Sequence, residues 1–319
     1  MKVLLFTHSQ DIDGIGCIVL AKEAFSSEKL TYVPCKTFEI TSKVNELYQG
    51  KKLLEYDLIF VTDLCIKEPL LSLIDNDKNI RSKFRVLDHH KTEIDEGNNK
   101  YSFVDIIVEQ NGIKECGTSL FYKYLIQNNF IKPSLFLNNF TEFTRQYDVW
   151  DWKKNNNEKA RELNIIFEEL GIEKYLSIIE NMKKYNMVYF DEYCRKIIDS
   201  YNTSLYKELS KVFSTLKVTE IYIQNKKINI GFVDTLYKLR NEIPDFIKMK
   251  NVSVDVIGMN ILDGETISYR NINKDIDCAK IAEQFGGKGH KDAGSNPKEN
   301  EKFKEFWKSK FNSDISKNA

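Results

Sequence analysis

The stretch Phe84-Arg85-Val86-Leu87-Asp88-His89-His90-Lys91 decides how the chain is organised, because it joins an apolar run to side chains that carry chemistry. The apolar residues predict a buried strand, and Asp88 comes where that strand ends. Neutral imidazole is the commonest metal-ligand nitrogen, and its pKa lies near physiological pH. The chain has 319 residues and only 4 histidines. We therefore expect the adjacent pair to belong to a functional site.

Outside this stretch, apolar runs alternate with helical patterns through the first half of the chain. Strands are predicted at 2–7, 31–34, 58–62 and 84–87, and helices at 14–26, 41–48, 69–75 and 118–128. Strands separated by helices imply right-handed crossovers and a largely parallel sheet. Functional side chains in such sheets gather at the carboxyl ends of the strands. We expect one shared edge for the residues that follow these strands: His8, Asp11, Asp63, Asp88 and His89.

The second half predicts a helical connector and then a smaller α/β domain. A helical pattern runs from 158 to about 213. Beyond it we predict strands at 221–223, 227–233, 252–259 and 266–269, a turn at 224–226, and helices at 235–248, 277–285 and 298–311. The predicted fold class is α/β, with an N-terminal largely parallel sheet flanked by helices and a mixed sheet in the C-terminal domain. The predicted domains are 1–157, the connector 158–215, and 216–319.

The amino-acid composition limits the classes of protein to which the chain can belong. The charge is balanced, with 47 basic and 47 acidic residues, which argues against a grip on long duplex DNA and leaves short anionic substrates open. The 6 cysteines include no C-x-x-C pair, so we expect reduced, mostly buried thiols in a cytoplasmic protein. No apolar run approaches the ~20 residues that a membrane-spanning helix needs. We therefore expect no membrane partner.

Aspartates crowd the end of the first predicted strand. Asp11 and Asp13 lie between His8 and Gly14, where a helix is predicted to begin. Two carboxylates at such a short separation raise each other's pKa unless a cation lies between them. The alternative is an acidic helix N-terminus, which capping and the helix dipole favour. Asp63 has the same two interpretations, because an aspartate after a buried strand is often only a cap.

The run Asp88-His89-His90 favours a metal site more strongly. Adjacent histidines point to opposite sides of an extended backbone, so one can bind metal while the other faces a substrate or a supporting carboxylate. The alternative is a buried pair satisfied by backbone groups.

Asp148 lies in the aromatic segment 147–152, whose rings favour core packing over base stacking. Mixed nitrogen and oxygen ligands suit two adjacent divalent ions that activate a bridging water, and imidazole favours Mn²⁺, Fe or Co over Mg²⁺. The candidate ligands are His8, Asp11, Asp13, Asp63, His89 and Asp148.

A glycine-rich segment, Gly286-Gly287-Lys288-Gly289-His290, follows the predicted helix at 277–285. Dense glycine lets backbone N–H groups close on an anion, and the lysine and histidine add positive charge. Arg270 ends a predicted strand and can fork onto phosphate. The alternative is a flexible loop with a helix C-cap.

These motifs resemble those of the DHH phosphoesterase superfamily. Four N-terminal motifs match in order: His8 to Gly14, Asp63, Asp88-His89-His90, and Asp148. Residues 268–270 and 286–294 resemble the DHH-associated substrate-binding domain, so the resemblance covers essentially the whole chain. It is nearest to the oligoribonuclease and cyclic-nucleotide phosphodiesterase branch, of the nanoRNase type. The chain departs from the pattern in having only two residues between His8 and Asp11, and in having Lys288 where glycine is common.

The resemblance implies a role for each residue. One Mn²⁺ would be held by His8, Asp11 and Asp63, and the other by Asp13, Asp63, His89 and Asp148, with Asp63 bridging. Asp88 would orient the site, and His90 would contact the scissile phosphate or the leaving group. The C-terminal domain would bind the substrate's phosphates across an interdomain cleft through Arg270, Gly287, Lys288, Gly289 and His290.

We therefore expect a phosphodiesterase dependent on two divalent metal ions, with Mn²⁺ preferred, that hydrolyses short oligonucleotides to nucleoside monophosphates. Attack would come from metal-bound hydroxide. The alternative substrates are cyclic mono- or dinucleotides and 3′-phosphorylated nucleotides. An inorganic pyrophosphatase ranks lower, because the glycine-rich segment is typical of proteins that handle nucleotides. A non-catalytic nucleotide-binding module also ranks lower, because the set of candidate metal ligands is nearly full. Assembly as a homodimer is left open.

Overall fold

The computed structural model describes residues 1–223, 226–313 and 315. It confirms the expected α/β class and contains two compact units. The first is Met1–Tyr201, and the second begins at Asn202. The division falls inside one helix, and the predicted domain boundaries at 157 and 215 stay a prediction.

The first unit is built on a five-stranded sheet whose strands are all parallel. Its spatial order is β2-β1-β3-β4-β5. The strands are β1 (Val3–His8), β2 (Leu30–Cys35), β3 (Leu58–Thr62), β4 (Phe84–Asp88) and β5 (Val104–Ile106). The four predicted strands are confirmed, whereas β5, with 3 residues, is too short to show a strand pattern. A separate antiparallel pair follows, β6 (Glu109–Gln110) and β7 (Ile113–Lys114).

Helices cover both faces of this sheet. Alternation along β1 shows the two layers, because Val3 and Leu5 pack in one apolar cluster while Leu4 and Phe6 pack in the other. The helices are α1 (Ile12–Ala24), α2 (Ile40–Gln49), α3 (Leu70–Asn76), α4 (Lys78–Arg81), α5 (Lys91–Asp95), α6 (Gly117–Gln127), α7 (Leu135–Asp148), α8 (Asp151–Lys154), α9 (Glu158–Lys184) and α10 (Glu192–Ser214).

The predicted helical segment from 158 to 213 is two helices, α9 and α10. Asn186 takes a left-handed φ of 51° just after α9 ends, and asparagine is one of the few residues that adopt this conformation at a helix end. Gly171, with φ 70° and ψ 176°, also interrupts α9. Core residues of α9 such as Leu163 and Ile166 belong to the same apolar cluster as α1.

The second unit contains a six-stranded mixed sheet in the order β12-β13-β11-β10-β9-β8. Its neighbours pair antiparallel except β9 and β10, which are parallel. Its strands are β8 (Lys217–Ile223), β9 (Lys226–Thr235), β10 (Val256–Ile261), β11 (Thr266–Asn271), β12 (Lys288–His290) and β13 (Ala293–Pro297). Its helices are α11 (Ile243–Met249), α12 (Cys278–Gln284) and α13 (Glu301–Phe311). Two residues of the predicted turn, Gln224 and Asn225, lie outside the described residues.

The helix predicted at 235–248 is wrong in its first half. A short 3₁₀ helix at Tyr237–Leu239 comes first, and α11 begins only at Ile243, with a proline in its first turn. Proline fits the first turn of a helix and not its interior. No described helix is both long enough and apolar enough to cross a membrane. The 6 cysteines are free and buried, as expected.

Candidate metal centre

The parallel sheet brings the predicted ligands of the first unit to one edge. His8 ends β1, Asp63 follows β3 and Asp88 ends β4, and these three strands are neighbours in the sheet. Asp148 joins them from the last residue of α7. The structure therefore brings all six predicted metal ligands close together. Three of them form a first group and the other three a second group, and Asp63 and His89 also meet in a third group with Asp88 and His90.

The first group contains His8, Asp11 and Asp63. His8 Nδ1 lies 3.0 Å from Asp11 Oδ2 and 3.6 Å from Asp63 Oδ2. The other oxygen of Asp11, Oδ1, caps α1 by accepting hydrogen bonds from the backbone N–H groups of Asp13 and Gly14, each at 3.2 Å. Asp11 is thus both a helix cap and a potential ligand. The short spacing between His8 and Asp11 still leaves both side chains in one group.

The second group contains Asp13, His89 and Asp148. His89 Nε2 lies 3.6 Å from Asp148 Oδ2 and 3.7 Å from Asp13 Oδ2. The same nitrogen is 3.2 Å from Asp63 Oδ1, so the two oxygens of Asp63 face different groups. Asp63 therefore lies where its carboxylate contacts a histidine of each group.

Asp63 has a left-handed backbone, with φ 56°. Such a conformation is uncommon for residues other than glycine, and it is often found at functional sites. The next helix, α3, begins only at Leu70 and has Pro69 at its N-cap. Asp63 therefore does not cap that helix, which removes the structural alternative raised for it.

Asp13 is held by the N-terminus of α6. Its Oδ2 accepts a hydrogen bond from the Gly117 N–H at 2.6 Å, and its Oδ1 accepts one from the Thr118 N–H at 2.7 Å. Gly117 also packs against Asp63, and a Cβ atom added there would lie 2.4 Å from Asp63 Cβ. Gly117 and Thr118 could not be identified as site residues from the sequence, because both are distant in sequence from every motif.

Negative charge is concentrated at this edge. Five aspartates lie here: Asp11, Asp13, Asp63, Asp88 and Asp148. Among the described residues, every ion pair of these aspartates is with a histidine, and none is with a lysine or arginine. Burial, together with the charges of Asp13 and Asp11, raises the pKa of Asp63. Burial and the same two carboxylates raise the pKa of Asp148 to about 8. Bound cations relieve such repulsion, so the donor set fits divalent metal ions.

The histidines of the site differ in protonation. Burial lowers the pKa of His89, which favours the neutral imidazole that binds metal. The hydrogen bond with Asp88 raises the pKa of His90 to about 9, although burial opposes this effect. Burial also opposes protonation of His8, but the hydrogen bond and charge of Asp11 outweigh it and raise the His8 pKa.

The expectation that His89 and His90 point to opposite sides is wrong. Their ring centroids are only 4.3 Å apart. The reason is that β4 ends at Asp88, so the strand alternation does not extend to the pair. Their partners nevertheless differ, because His90 Nδ1 bonds to Asp88 Oδ1 at 2.8 Å. The other oxygen of Asp88 is buried and finds no hydrogen-bond partner in the described part of the chain.

The C-terminal candidates lie in the second unit, where several of them line a cavity of about 500 Å³. These are Arg270, Lys288, Gly289 and His290. In the glycine-rich segment, Lys288–His290 form the edge strand β12. Gly286, with φ 71°, follows the end of α12, and the Gly287 N–H donates to the Ala282 carbonyl at 2.8 Å, so these two residues form the helix C-cap of the alternative interpretation. Gly287 and Gly289 also allow close contact with β13, since a Cβ at Gly287 would lie 2.0 Å from Ser295 O. Tyr237 and Arg240 line the same cavity, and no motif pointed to them.

Comparison with known proteins agrees with this architecture. No family model matches the chain. The oligoribonuclease NrnB of Bacillus subtilis (strain 168) is 27% identical over 288 residues, which cover 90% of this chain and 70% of NrnB. The pGpG-specific phosphodiesterase PggH from Vibrio cholerae has a TM-score of 0.51 and 11% identity, over 93% of both chains. The exonuclease RecJ bound to manganese has a TM-score of 0.52 and 12% identity, over 93% of this chain and 85% of RecJ.

At these identities the two solved structures show a shared fold. The similarity to NrnB extends over nearly all of the chain, and the ordered motifs converge at one edge of the parallel sheet. From these findings together, the chain resembles proteins of the DHH superfamily of phosphoesterases over nearly its whole length.

Proposed function

We propose that the chain hydrolyses the phosphodiester bonds of short oligonucleotides and releases nucleoside monophosphates. The observation that carries the proposal is the position of Asp63, with one oxygen toward His8 and the other toward His89. Two cations sharing one carboxylate are typical of enzymes that cleave phosphate esters. The similarity to NrnB, an oligoribonuclease, supports the choice of substrate.

The donor atoms divide between two ions. His8, Asp11 and Asp63 would hold one, and Asp13, Asp63, His89 and Asp148 would hold the other. Two divalent ions there would neutralise phosphate charge and lower the pKa of a water molecule. Because two of the donors are imidazoles, we expect Mn²⁺ to be preferred to Mg²⁺.

His90 and Asp88 are assigned roles at the reacting phosphate. Asp88 Oδ1 accepts hydrogen bonds from the His89 N–H and from His90 Nδ1, each at 2.8 Å, and so fixes the His90 ring. The His90 side chain is 53% exposed, which leaves it open to a ligand. We therefore assign His90 to contact with the scissile phosphate or the leaving oxygen, and Asp88 to its positioning.

The second unit would bind the substrate, and the protein would act in the cytoplasm. The phosphate-binding residues of the second unit would be Arg270, Gly287, Lys288, Gly289 and His290. The similarity in fold to PggH, a pGpG-specific phosphodiesterase, favours dinucleotides within the class of short substrates. Buried free thiols fit the reducing cytoplasm as the expected location.

The test is hydrolysis of labelled RNA of roughly two to five nucleotides by the Mn²⁺-loaded protein. Asp63→Asn keeps the side-chain shape and removes the charge, so we expect activity to fall by about a thousandfold or more, as for loss of a major electrostatic contribution. Asp105→Asn is the matched control, because Asp105 is exposed on β5 and lies outside the donor groups. Full activity of Asp63→Asn, or of the wild type in excess chelator, would contradict the proposal.

A further inference from the structure

A buried glutamate lies close in sequence to the histidine pair and belongs to none of the groups of potential metal ligands. Glu93 is in the first turn of α5, and its backbone N–H donates to the His90 carbonyl at 3.0 Å. Only 7% of Glu93 is exposed. A buried carboxylate costs free energy unless charged or hydrogen-bonding partners surround it. The partners of Glu93 therefore indicate what it does.

Both oxygens of the Glu93 side chain have partners. Oε1 forms an ion pair with Lys67 Nζ, and Oε2 accepts a hydrogen bond from Asn98 Nδ2 at 2.7 Å. Asn98 is itself buried. The Lys67 ammonium also pairs with Glu96 Oε2 at 2.8 Å, but the Glu96 side chain is 53% exposed. Lys67 therefore joins the loop after β3 to the segment of α5 through one buried carboxylate and one exposed carboxylate.

The loop that carries Lys67 begins at Asp63. Residues 64–66 lie between them, and each is at most 3% exposed. Lys67 is also held at its backbone, because its N–H donates to Thr41 Oγ1 at 3.0 Å. Close-packed segments transmit displacements, since they have no voids into which they can relax. A shift of the Lys67 side chain is therefore passed on to Asp63.

The ion pair is a second connection between the segments that carry Asp63 and the histidine pair. The first is at the ends of the strands, where the Asp63 N–H donates to the Leu87 carbonyl at 3.0 Å. The Lys67–Glu93 pair joins the same two segments again, beyond Asp63 in one and beyond His90 in the other. Two connections on either side of the site fix the separation of the residues between them.

We propose that Lys67 and Glu93 are positioning residues, which hold Asp63 and His90 at the separation that the reaction requires. Asp63 and His90 belong to one group of side chains whose ligand atoms lie within 4.8 Å of one another. Lys67 and Glu93 are outside that group, so each acts through the residue that it holds. Displacements of about 1 Å in catalytic groups are enough to slow a reaction strongly. This inference rests on the proposed function for the identity of the reaction.

Titration with Mn²⁺ tests the inference without hydrolysis. The variants are Lys67→Met, Glu93→Gln and the double variant, each titrated at a temperature where circular dichroism shows folded protein. We expect each single variant to bind Mn²⁺ about tenfold more weakly than the wild type, the range for residues that support metal ligands. The double variant should be no weaker than either single variant, because the two side chains act as one pair.

Hydrolysis of short RNA at saturating Mn²⁺ gives a second measurement. We expect the kcat of Lys67→Met and of Glu93→Gln to fall about tenfold to a hundredfold, with KM within about threefold of the wild type. A loss of fold stability alone would leave both constants unchanged in the folded protein. Lys67→Arg keeps the positive charge and can still pair with the carboxylate, so its kcat should stay within about threefold of the wild type.

Glu96→Gln is the matched control, since Glu96 pairs with the same ammonium at an exposed position. Its Mn²⁺ affinity and kcat should stay within about twofold of the wild type, because exposed ion pairs contribute little. The inference would be overturned if Lys67→Met and Glu93→Gln matched Glu96→Gln in Mn²⁺ affinity or in kcat, or if their losses added in the double variant. Absence of RNA hydrolysis by the wild type would contradict the proposed function, and the Mn²⁺ affinities would still decide this inference.

Discussion

Asp63 connects the two donor groups, and the glycine beside it explains how it can be buried there. Gly117, the first residue of α6, approaches Asp63 so closely that an added Cβ would lie 2.4 Å from Asp63 Cβ and 2.9 Å from its Cα. Side-chain movement alone cannot relieve a clash with backbone. Glycine at this position is therefore required by the close approach of Asp63.

At the residue scale we predict the effect of Gly117→Ala. The added methyl group must displace Asp63 or α6, so we expect a loss of about 1–3 kcal/mol in the free energy of unfolding, typical of overpacking. Activity should fall at least about tenfold, because small misplacements of catalytic groups are costly. Urea unfolding and the RNA assay measure the two effects.

The control for this substitution is Gly50→Ala at the end of α2, where the nearest atom, Glu46 O, would lie 3.2 Å from the new Cβ. We expect a smaller change in stability and normal activity. If Gly117→Ala proved as stable and as active as Gly50→Ala, the close packing against Asp63 would not matter for the site.

At the element scale, α7 is the part of the centre that the sequence analysis did not predict as a helix, although Asp148 was identified. Its Arg145 is largely buried and pairs with Glu142 at 2.7 Å and with Asp151 at 3.1 Å. The same guanidinium donates to the Lys114 carbonyl at 3.0 Å. Arg145 thus ties the last turn of α7 to α8 and to β7, three residues before Asp148.

We predict that Arg145→Ala loosens this end of α7. Because the carboxylate partners are partly exposed, we expect a modest loss of about 1–3 kcal/mol in unfolding free energy, below that of a fully buried pair. Mn²⁺ affinity should also fall about tenfold, the range reported for residues that support metal ligands. Chemical unfolding and Mn²⁺ titration measure both effects.

Lys196→Ala provides the comparison, since Lys196 pairs with Glu192 at 2.7 Å where both side chains are exposed. Its removal should change stability by less than about 0.5 kcal/mol and leave Mn²⁺ binding unchanged. An Arg145→Ala protein that binds Mn²⁺ like the wild type would show that α7 positions Asp148 without this clamp.

Some helices and strands could be predicted from the sequence, and others could not. The apolar runs of β1, β3 and β4 predicted both the strands and the edge where His8, Asp63 and Asp88 meet, because parallel strands share one direction. By contrast, β12 was not predicted as a strand, since it has no apolar residue and its one glycine, Gly289, serves close contact with β13. The break between α9 and α10 contains the left-handed Asn186, a backbone feature that periodicity does not detect.

At the scale of the whole molecule, each of the two units contains a set of candidate residues. The convergence of the candidate metal ligands could be predicted because their types and order are distinctive. The position of Arg240 and Tyr237 in the lining of the second unit's cavity could not be predicted, because it depends on which residues the fold places around that cavity. Ion pairing is a property of the folded chain, and spacing does not reveal it.

The central claim is that the six ligands form a two-ion centre organised by Asp63. The most direct measurement is the number of Mn²⁺ ions bound per chain after equilibrium dialysis of the purified protein. We predict about two ions for the wild type and for Asp105→Asn, and one or fewer for Asp63→Asn, because the shared carboxylate charge is lost. Fewer than about one ion per wild-type chain, or an Asp63→Asn variant that still binds two, would contradict the account.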